Sequence, residues 1–361
     1  IVLFGDRRYG SIPTLDTWEL GTTGWKQLEP KVRPDARYAA SLVYDSHRGV
    51  CVLIGGIGLD AQRYPEGKSE VWEWDGDNWQ SRGKGPVVAE AAAAYDEERR
   101  RVVVNGGTNV VRVSGKAQVR DVSDTWVSNG TTWQQCKFLT NTKATGHAMV
   151  YDPEQRALLL LRSEAYAGRV AFSALIPERT SGVNAWRPVR EDDPTEVRRY
   201  FAAAYDVKAR TVVVYGGEVQ DGSGWKATRD TLTLSDETPQ ERAAQTASAK
   251  RAVEAVPGWT LHDNGDMATA DLFTYAIHVD RKRGVPVMLA TGGRRATLSG
   301  DSSQGGGNRF VVYERHGGVW KLIPSANAPG VRSSFGCWFD ARTGLLMLYG
   351  GRDGKESLSD L

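Results

Sequence analysis

The stretch Tyr205-Asp206-Val207-Lys208-Ala209-Arg210-Thr211-Val212-Val213-Val214-Tyr215-Gly216-Gly217 holds, in order, an aromatic-Asp pair, a charged turn, a run of β-branched and aromatic residues, and two glycines. A short polar turn between apolar runs reads as an antiparallel hairpin. The glycine pair allows positive φ and close backbone approach where the second strand ends. The same arrangement recurs at Tyr44-Asp45, Tyr95-Asp96, Tyr151-Asp152, Val279-Asp280 and Phe339-Asp340. Glycine pairs follow at Gly55-Gly56, Gly106-Gly107, Gly292-Gly293 and Gly350-Gly351, with Gly5-Asp6 as a decayed copy and Leu161-Arg162-Ser163 as a departure.

Beyond each glycine slot comes a loop of variable length and then a short strand led by an acid: Asp16-Thr17-Trp18, Glu70-Val71-Trp72, Asp124-Thr125-Trp126 and Asp230-Thr231-Leu232. A fourth strand carries a tryptophan, at Trp25, Trp79, Trp133, Trp186, Trp259 and Trp320. The unit is therefore four short antiparallel strands, a to d, repeated at roughly 50–75 residues, the spacing of propeller blades. The recurrent Trp and Tyr supply large apolar areas for packing one unit on the next.

This combination resembles the kelch repeat, and the resemblance spans nearly the whole chain. It implies an all-β fold, a kelch-type β-propeller, with 1–361 as a single domain. Strand b can be counted seven times, from Ile1-Val2-Leu3-Phe4 to Leu345-Leu346-Met347-Leu348. The first copy lacks strand a and the last lacks strand d. Since both contain a strand b, they are expected to form separate blades, giving seven; six is the alternative if Ile1–Phe4 is not a true strand b. The two cut edges suggest a piece of a longer polypeptide.

Composition agrees with such a fold and excludes others. The chain of 361 residues has 40 Gly and 12 Trp, which suits many turns and aromatic anchors rather than long helices. Lys and Arg total 46 against 44 Asp and Glu, a net charge of +2, so nothing in the overall charge attracts nucleic acid. No apolar run approaches the roughly 18–20 residues of a membrane helix. Three dispersed cysteines, Cys51, Cys136 and Cys337, make neither a disulfide framework nor a zinc motif. The compartment is left open.

Two insertions interrupt the repeat. The segment at about 236–256 opens with Thr238, Pro239 and Glu241, a capping-box pattern, and stops at Pro257-Gly258, so one surface helix is expected there. The Gly- and Ser-rich stretch 294–308 has the composition of a flexible loop, without the lysine and strand-to-helix context of a phosphate cradle.

In a propeller, strand a lines the central channel and starts at the face carrying the b–c and d–a loops. Eight residues before the repeat Asp stand Arg37, Arg198 and Arg332, with Arg199 beside the second. Guanidinium forks at a channel mouth suit paired carboxylates, so an acidic peptide is the expected guest. The competing reading makes these arginines part of the repeat, bonded to acids or loop carbonyls. Arg63, Tyr64 and Arg112 on long b–c loops extend the same rim. His147 reads as a packed, hydrogen-bonded histidine. Galactose oxidase, a kelch enzyme, holds copper with two His and two Tyr, and no matching set stands in this sequence. No metal, cofactor or catalytic set is therefore expected. The leading expectation is a non-catalytic recognition or scaffolding module for a protein or peptide. The alternative is a propeller enzyme (hydrolase, epimerase or oxidase) or a glycan-binding module with its site at the channel mouth.

Overall fold

The computed structural model describes residues 2–4, 17–21, 24–113, 116–136, 138–139, 146–166, 169–180, 183–188, 197–220, 224–234, 259–262, 272–280, 283–292, 309–324, 336–340 and 345–349. The described secondary structure is all β, and no helix among these residues is long and apolar enough to cross a membrane. The helix expected at about 236–256 lies outside the described residues.

Each repeat closes into one sheet in the order a-b-c-d. The first complete one is Ser41–Asp45, Val50–Ile54, Glu70–Trp74, Trp79–Lys84. The second is Ala92–Asp96, Arg101–Asn105, Thr125–Ser128, Trp133–Cys136. The third is Ala148–Asp152, Ala157–Tyr166, Arg169–Thr180, Val183–Pro188, with Phe138–Leu139 added in parallel at its outer edge. The fourth is Ala202–Asp206, Thr211–Tyr215, Thr231–Leu234, Trp259–His262. The fifth is Leu272–Asp280, Val285–Gly292, Arg309–His316, Val319–Ile323.

The remaining sheet joins strands from both ends of the sequence, and here the pairing corrects the expectation of two separate partial blades. Gly336–Asp340 pairs with Leu345–Tyr349, which meets Thr17–Gly21 at Leu20↔Leu346, and Thr17–Gly21 continues to Gly24–Leu28. Val2–Phe4 lies along the Thr17–Glu19 half of that same strand. Two candidate strands b thus share a single strand c, a possibility that counting strands b had ruled out. The inner strands of the described sheets neighbour one another in cyclic order, Gly336–Asp340 contacting Ser41–Asp45 to close the ring. The fold is a β-propeller.

Alternation of side chains on the inner strands holds neighbouring sheets together. Val102 and Val104 pack back on Val52 and Ile54, whereas Val103, between them, packs forward on Leu158 and Leu160. Leu159 and Leu161 meet Val212 and Val214, while Val213 and Tyr215 meet Met288 and Ala290. Strand b is consequently buried on both faces, which explains why it reads as an unbroken apolar run. Each such side chain removed from water contributes about 1.5–3 kcal/mol.

The repeated Asp fixes the a–b turn. Asp45 Oδ1 accepts from the backbone N–H of His47 and Arg48, Asp152 Oδ1 from Glu154 and Gln155, and Asp206 Oδ1 from Lys208 and Ala209. These are Asx turns, in which a short carboxylate substitutes for a missing backbone acceptor. At the other end of strand b, Gly55 and Gly56 have φ of +65° and +93°. A Cβ on Gly56 would stand 2.8 Å from the Ala40 Cβ and 2.9 Å from the Tyr38 carbonyl oxygen, so the glycine is required by close approach as well as by φ.

Candidate functional site at the channel mouth

The b–c loops build the face at which strand a begins. Ile57–Leu59 and Pro65–Gly67 form one ribbon, Thr108–Val113 and Lys116–Asp121 a second, and Glu218–Gln220 with Trp225–Ala227 a third, to which Arg198–Arg199 adds a strand. The ribbons are seated on the d–a connections by backbone bridges, Tyr38 to Ile57 and Ala89 to Thr108.

Arg37 and Arg198 occupy equivalent places below this face, with 0% and 1% of their surface exposed. Arg37 donates through one guanidinium nitrogen to the carbonyls of Gly55 at 3.1 Å and Glu70 at 3.0 Å. Arg198 donates to the carbonyl of Gly216 at 2.5 Å and reaches the Asp230 carboxylate at 3.5 Å. Each arginine thus ties the glycine corner of strand b to the acid that opens strand c in its own sheet. This is the repeat-structural role, and it explains two sequence features together: the recurring spacing of the arginine and the leading acid of strand c. Arg332 lies outside the described residues.

Arg63 and Tyr64 sit at the exposed tip of the first ribbon, where Asp60 Oδ1 accepts from the N–H of Gln62 and Tyr64. Arg112 lies opposite Ala117 in the second ribbon. The structure places these residues on ribbons, apart from the buried pair.

The mouth itself is framed by residues six positions before the repeat Asp: Ala39, Glu90, Gly146 and Tyr200, with φ of 55°, 53°, 69° and 56°. The Glu90 N–H donates to the Ala39 carbonyl at 2.9 Å, and the Tyr200 N–H to the Gly146 carbonyl at 2.6 Å, linking adjacent sheets. Because Ala39 adopts the same conformation with no polar side chain, the architecture imposes the left-handed backbone. For an L-residue that conformation costs about 1–2 kcal/mol. Its consequence is directional: the side chains chosen at these positions, Glu90 and Tyr200, stand exposed.

Tyr200 is 49% exposed and its ring lies over Gly146, where a Cβ would stand 2.6 Å from Tyr200 Cδ1. The Arg199 guanidinium is centred 5.2 Å from the Tyr200 ring and 3.8 Å from the Trp225 ring. Arg199 Nε donates to Glu218 Oε2 at 2.8 Å, which orients the stack. Trp225 keeps 40% of its surface in solvent. Two exposed aromatic rings, a stacked guanidinium and a carboxylate thus converge beside the channel. Flat apolar faces rimmed by donors and acceptors suit a ligand with the same duality.

Sequence reasoning included Arg199 but missed Tyr200 and Trp225. A signal existed for the second: Trp225 falls in the b–c loop of the fourth complete sheet, whose strand-d tryptophan is Trp259, so it is surplus to the repeat.

His147 is sealed away from this surface. Its Nε2 faces the Asn105 carbonyl at 3.0 Å, and burial, then the Arg162 guanidinium, push its pKa down to about 4. Among the described residues no group of three or more His, Cys, Asp or Glu side chains is placed to hold a metal ion.

No family model and no curated protein matches the chain. The fold is similar to the structure of YjhT, with a TM-score of 0.50 and 12% identity over 86% of this chain and 94% of that one. Weaker likenesses are a Hadza microbial sialidase, Hz136, at TM-score 0.45 and 11% identity over 87% of this chain and 66% of that one, and an unknown-function protein from Dyadobacter fermentans at 0.45 and 10% over 84% and 87%. The expectation of a non-catalytic protein- or peptide-recognition scaffold is corrected. Two of the arginines meant to grip an acidic peptide, Arg37 and Arg198, are instead buried on backbone carbonyls.

Proposed function

We propose that this protein is a six-bladed, kelch-type propeller that binds carbohydrate at the channel mouth bearing the b–c ribbons. The blade count is supported by the cyclic adjacency of the inner strands and by the shared sheet of the first and last strands. The kelch type is supported by the recurring glycine pairs, acid-led strands c and Trp-bearing strands d.

The observation that carries the ligand class is the stack of Arg199 between the exposed rings of Tyr200 and Trp225. A pyranose ring has one apolar C–H face and an edge of hydroxyls. An aromatic plane accommodates the first, and Glu218, Glu90 and Arg199 provide hydrogen-bonding groups for the second. The conformation of this rim is set by the propeller, so little ordering is needed on binding, which favours affinity.

Screening an array of immobilised glycans with the wild-type protein and with Trp225→Ala tests the proposal. A defined set of glycans retained by the wild type and lost by a folded Trp225→Ala supports it. Retention of no glycan, or equal retention by the variant, overturns it.

A further inference from the structure

Two of the turns between strands c and d share one construction built from different residues. In the first complete sheet Asp75-Gly76-Asp77-Asn78 leads into Trp79, and in the second Asn129-Gly130-Thr131-Thr132 leads into Trp133. Asp75 Oδ1 accepts from the backbone N–H of Asp77 and of Asn78, both at 2.9 Å. Asn129 Oδ1 accepts from the N–H of Thr131 at 3.1 Å and of Thr132 at 3.3 Å. The glycines that follow have φ of +112° and +91°. One turn geometry thus holds a carboxylate in one sheet and a carboxamide in the next.

The carboxylate suits this turn. Burial raises the Asp75 carboxyl, but the N–H groups of Asn78 and Asp77 outweigh that and hold it below its ordinary value. Asn129 makes the uncharged, weaker version of the same pair of bonds.

The groups that would convert one into the other are in place. The backbone nitrogen after an asparagine can close a five-membered ring on the side-chain Cγ, and glycine hinders that closure least because it has no Cβ. The glycine is fixed by the fold: a Cβ on Gly130 would stand 2.6 Å from Arg48 Cζ, and Arg48 is held by Asp45 and Glu73. Asn129 is exposed, so water reaches its carboxamide. The two N–H groups on Oδ1 are placed to stabilise the negative charge that this oxygen acquires when Cγ becomes tetrahedral. Asn105-Gly106 gives the contrast. Asn105 is fully buried at the end of strand b, its Nδ2 donates to Thr125 Oγ1 at 2.9 Å, and the Gly106 N–H donates to the Asp124 carbonyl at 2.9 Å.

We propose that Asn129 is a site of spontaneous deamidation, through which the protein acquires a carboxylate at this turn. The Gly130 N–H gives its proton to hydroxide, and the nitrogen forms a bond to Asn129 Cγ. The Cγ–Nδ2 bond breaks, and the departing nitrogen takes a proton from water and leaves as ammonia. Water then opens the succinimide at either carbonyl, leaving aspartate or isoaspartate at position 129. The aspartyl product fits the turn as Asp75 does, whereas the isoaspartyl product lengthens the main chain by one carbon beside Arg48.

Incubation of the folded protein at mildly alkaline pH, followed by digestion and peptide mass spectrometry, tests the proposal. Each rate is expressed relative to that of the same peptide in protein unfolded by guanidinium chloride. On that scale Asn129 should show the mass gain of amide-to-acid exchange at least about tenfold faster than Asn105, whose exchange requires opening of the core. Methylation by an isoaspartyl methyltransferase should label the Asn129 peptide as it converts. Retention of the amide at Asn129 while the unfolded chain converts, or relative rates at Asn129 and Asn105 that differ by less than this, would overturn the proposal.

Discussion

Trp79 Nε1 donates to Thr17 Oγ1 at 3.2 Å, joining strand d of the first complete sheet to strand c of the sheet built from both ends of the sequence. Trp320 Nε1 makes the same bond to Thr231 Oγ1 at 3.1 Å, between the fifth sheet and the fourth. All four side chains are at most 1% exposed. At these two seams the tryptophan of strand d and the threonine after the acid of strand c are therefore the halves of one inter-sheet contact.

Replacing Thr17 by Val should leave the Trp79 N–H buried without an acceptor and destabilise the fold by about 1–3 kcal/mol. Thr17→Ser, which keeps the hydroxyl, should stay close to wild type. Urea denaturation of the two variants checks this, and an equal loss in both would mean that shape rather than the hydrogen bond matters at this seam.

Arg198→Ala should lower stability by about 1–3 kcal/mol, since the buried Gly216 carbonyl loses its donor. Glycan binding by the folded fraction should be unchanged, because Arg198 does not reach the surface. A variant of wild-type stability that has lost ligand binding would return this arginine to the recognition surface.

The pH dependence of stability should carry the mark of His147. Its folded pKa of about 4 lies below the ordinary 6.5, so its contribution is complete above pH 6.5 and is lost as pH falls toward 4. Between those limits the loss amounts to about 3 kcal/mol. His147→Gln should remove that part of the acid sensitivity. Urea midpoints of wild type and variant between pH 7 and pH 4 provide the comparison; parallel curves would show that His147 does not titrate as described.

Much of the fold was readable because it is periodic. The Tyr-Asp turns, the apolar strands b and the glycine pairs each follow from local physics that acts within a few residues. Ring closure did not follow, because the pairing of Leu346 with Leu20 joins residues at opposite ends of the sequence, and no local pattern chooses among strands of similar composition. The arginines were found at the right spacing with two readings left open, partner contact at the mouth or a place in the repeat, and for Arg37 and Arg198 it is the second that the carbonyl bonds support. Spacing locates a residue on an element without saying whether a carbonyl or solvent faces it. Tyr200 escaped notice because its exposure depends on a left-handed backbone imposed by the neighbouring sheet through Gly146.

The carbohydrate assignment is tested most directly by indole NMR on protein labelled with ¹⁵N at its 12 tryptophans, with Trp225→Phe used to identify the Trp225 signal. Titration with a glycan selected on the array should shift the Trp225 indole resonance saturably while those of the buried Trp79 and Trp320 stay fixed. A saturable shift confined to other tryptophans, or no shift at millimolar ligand, would contradict a carbohydrate site at the Tyr200 and Trp225 rim.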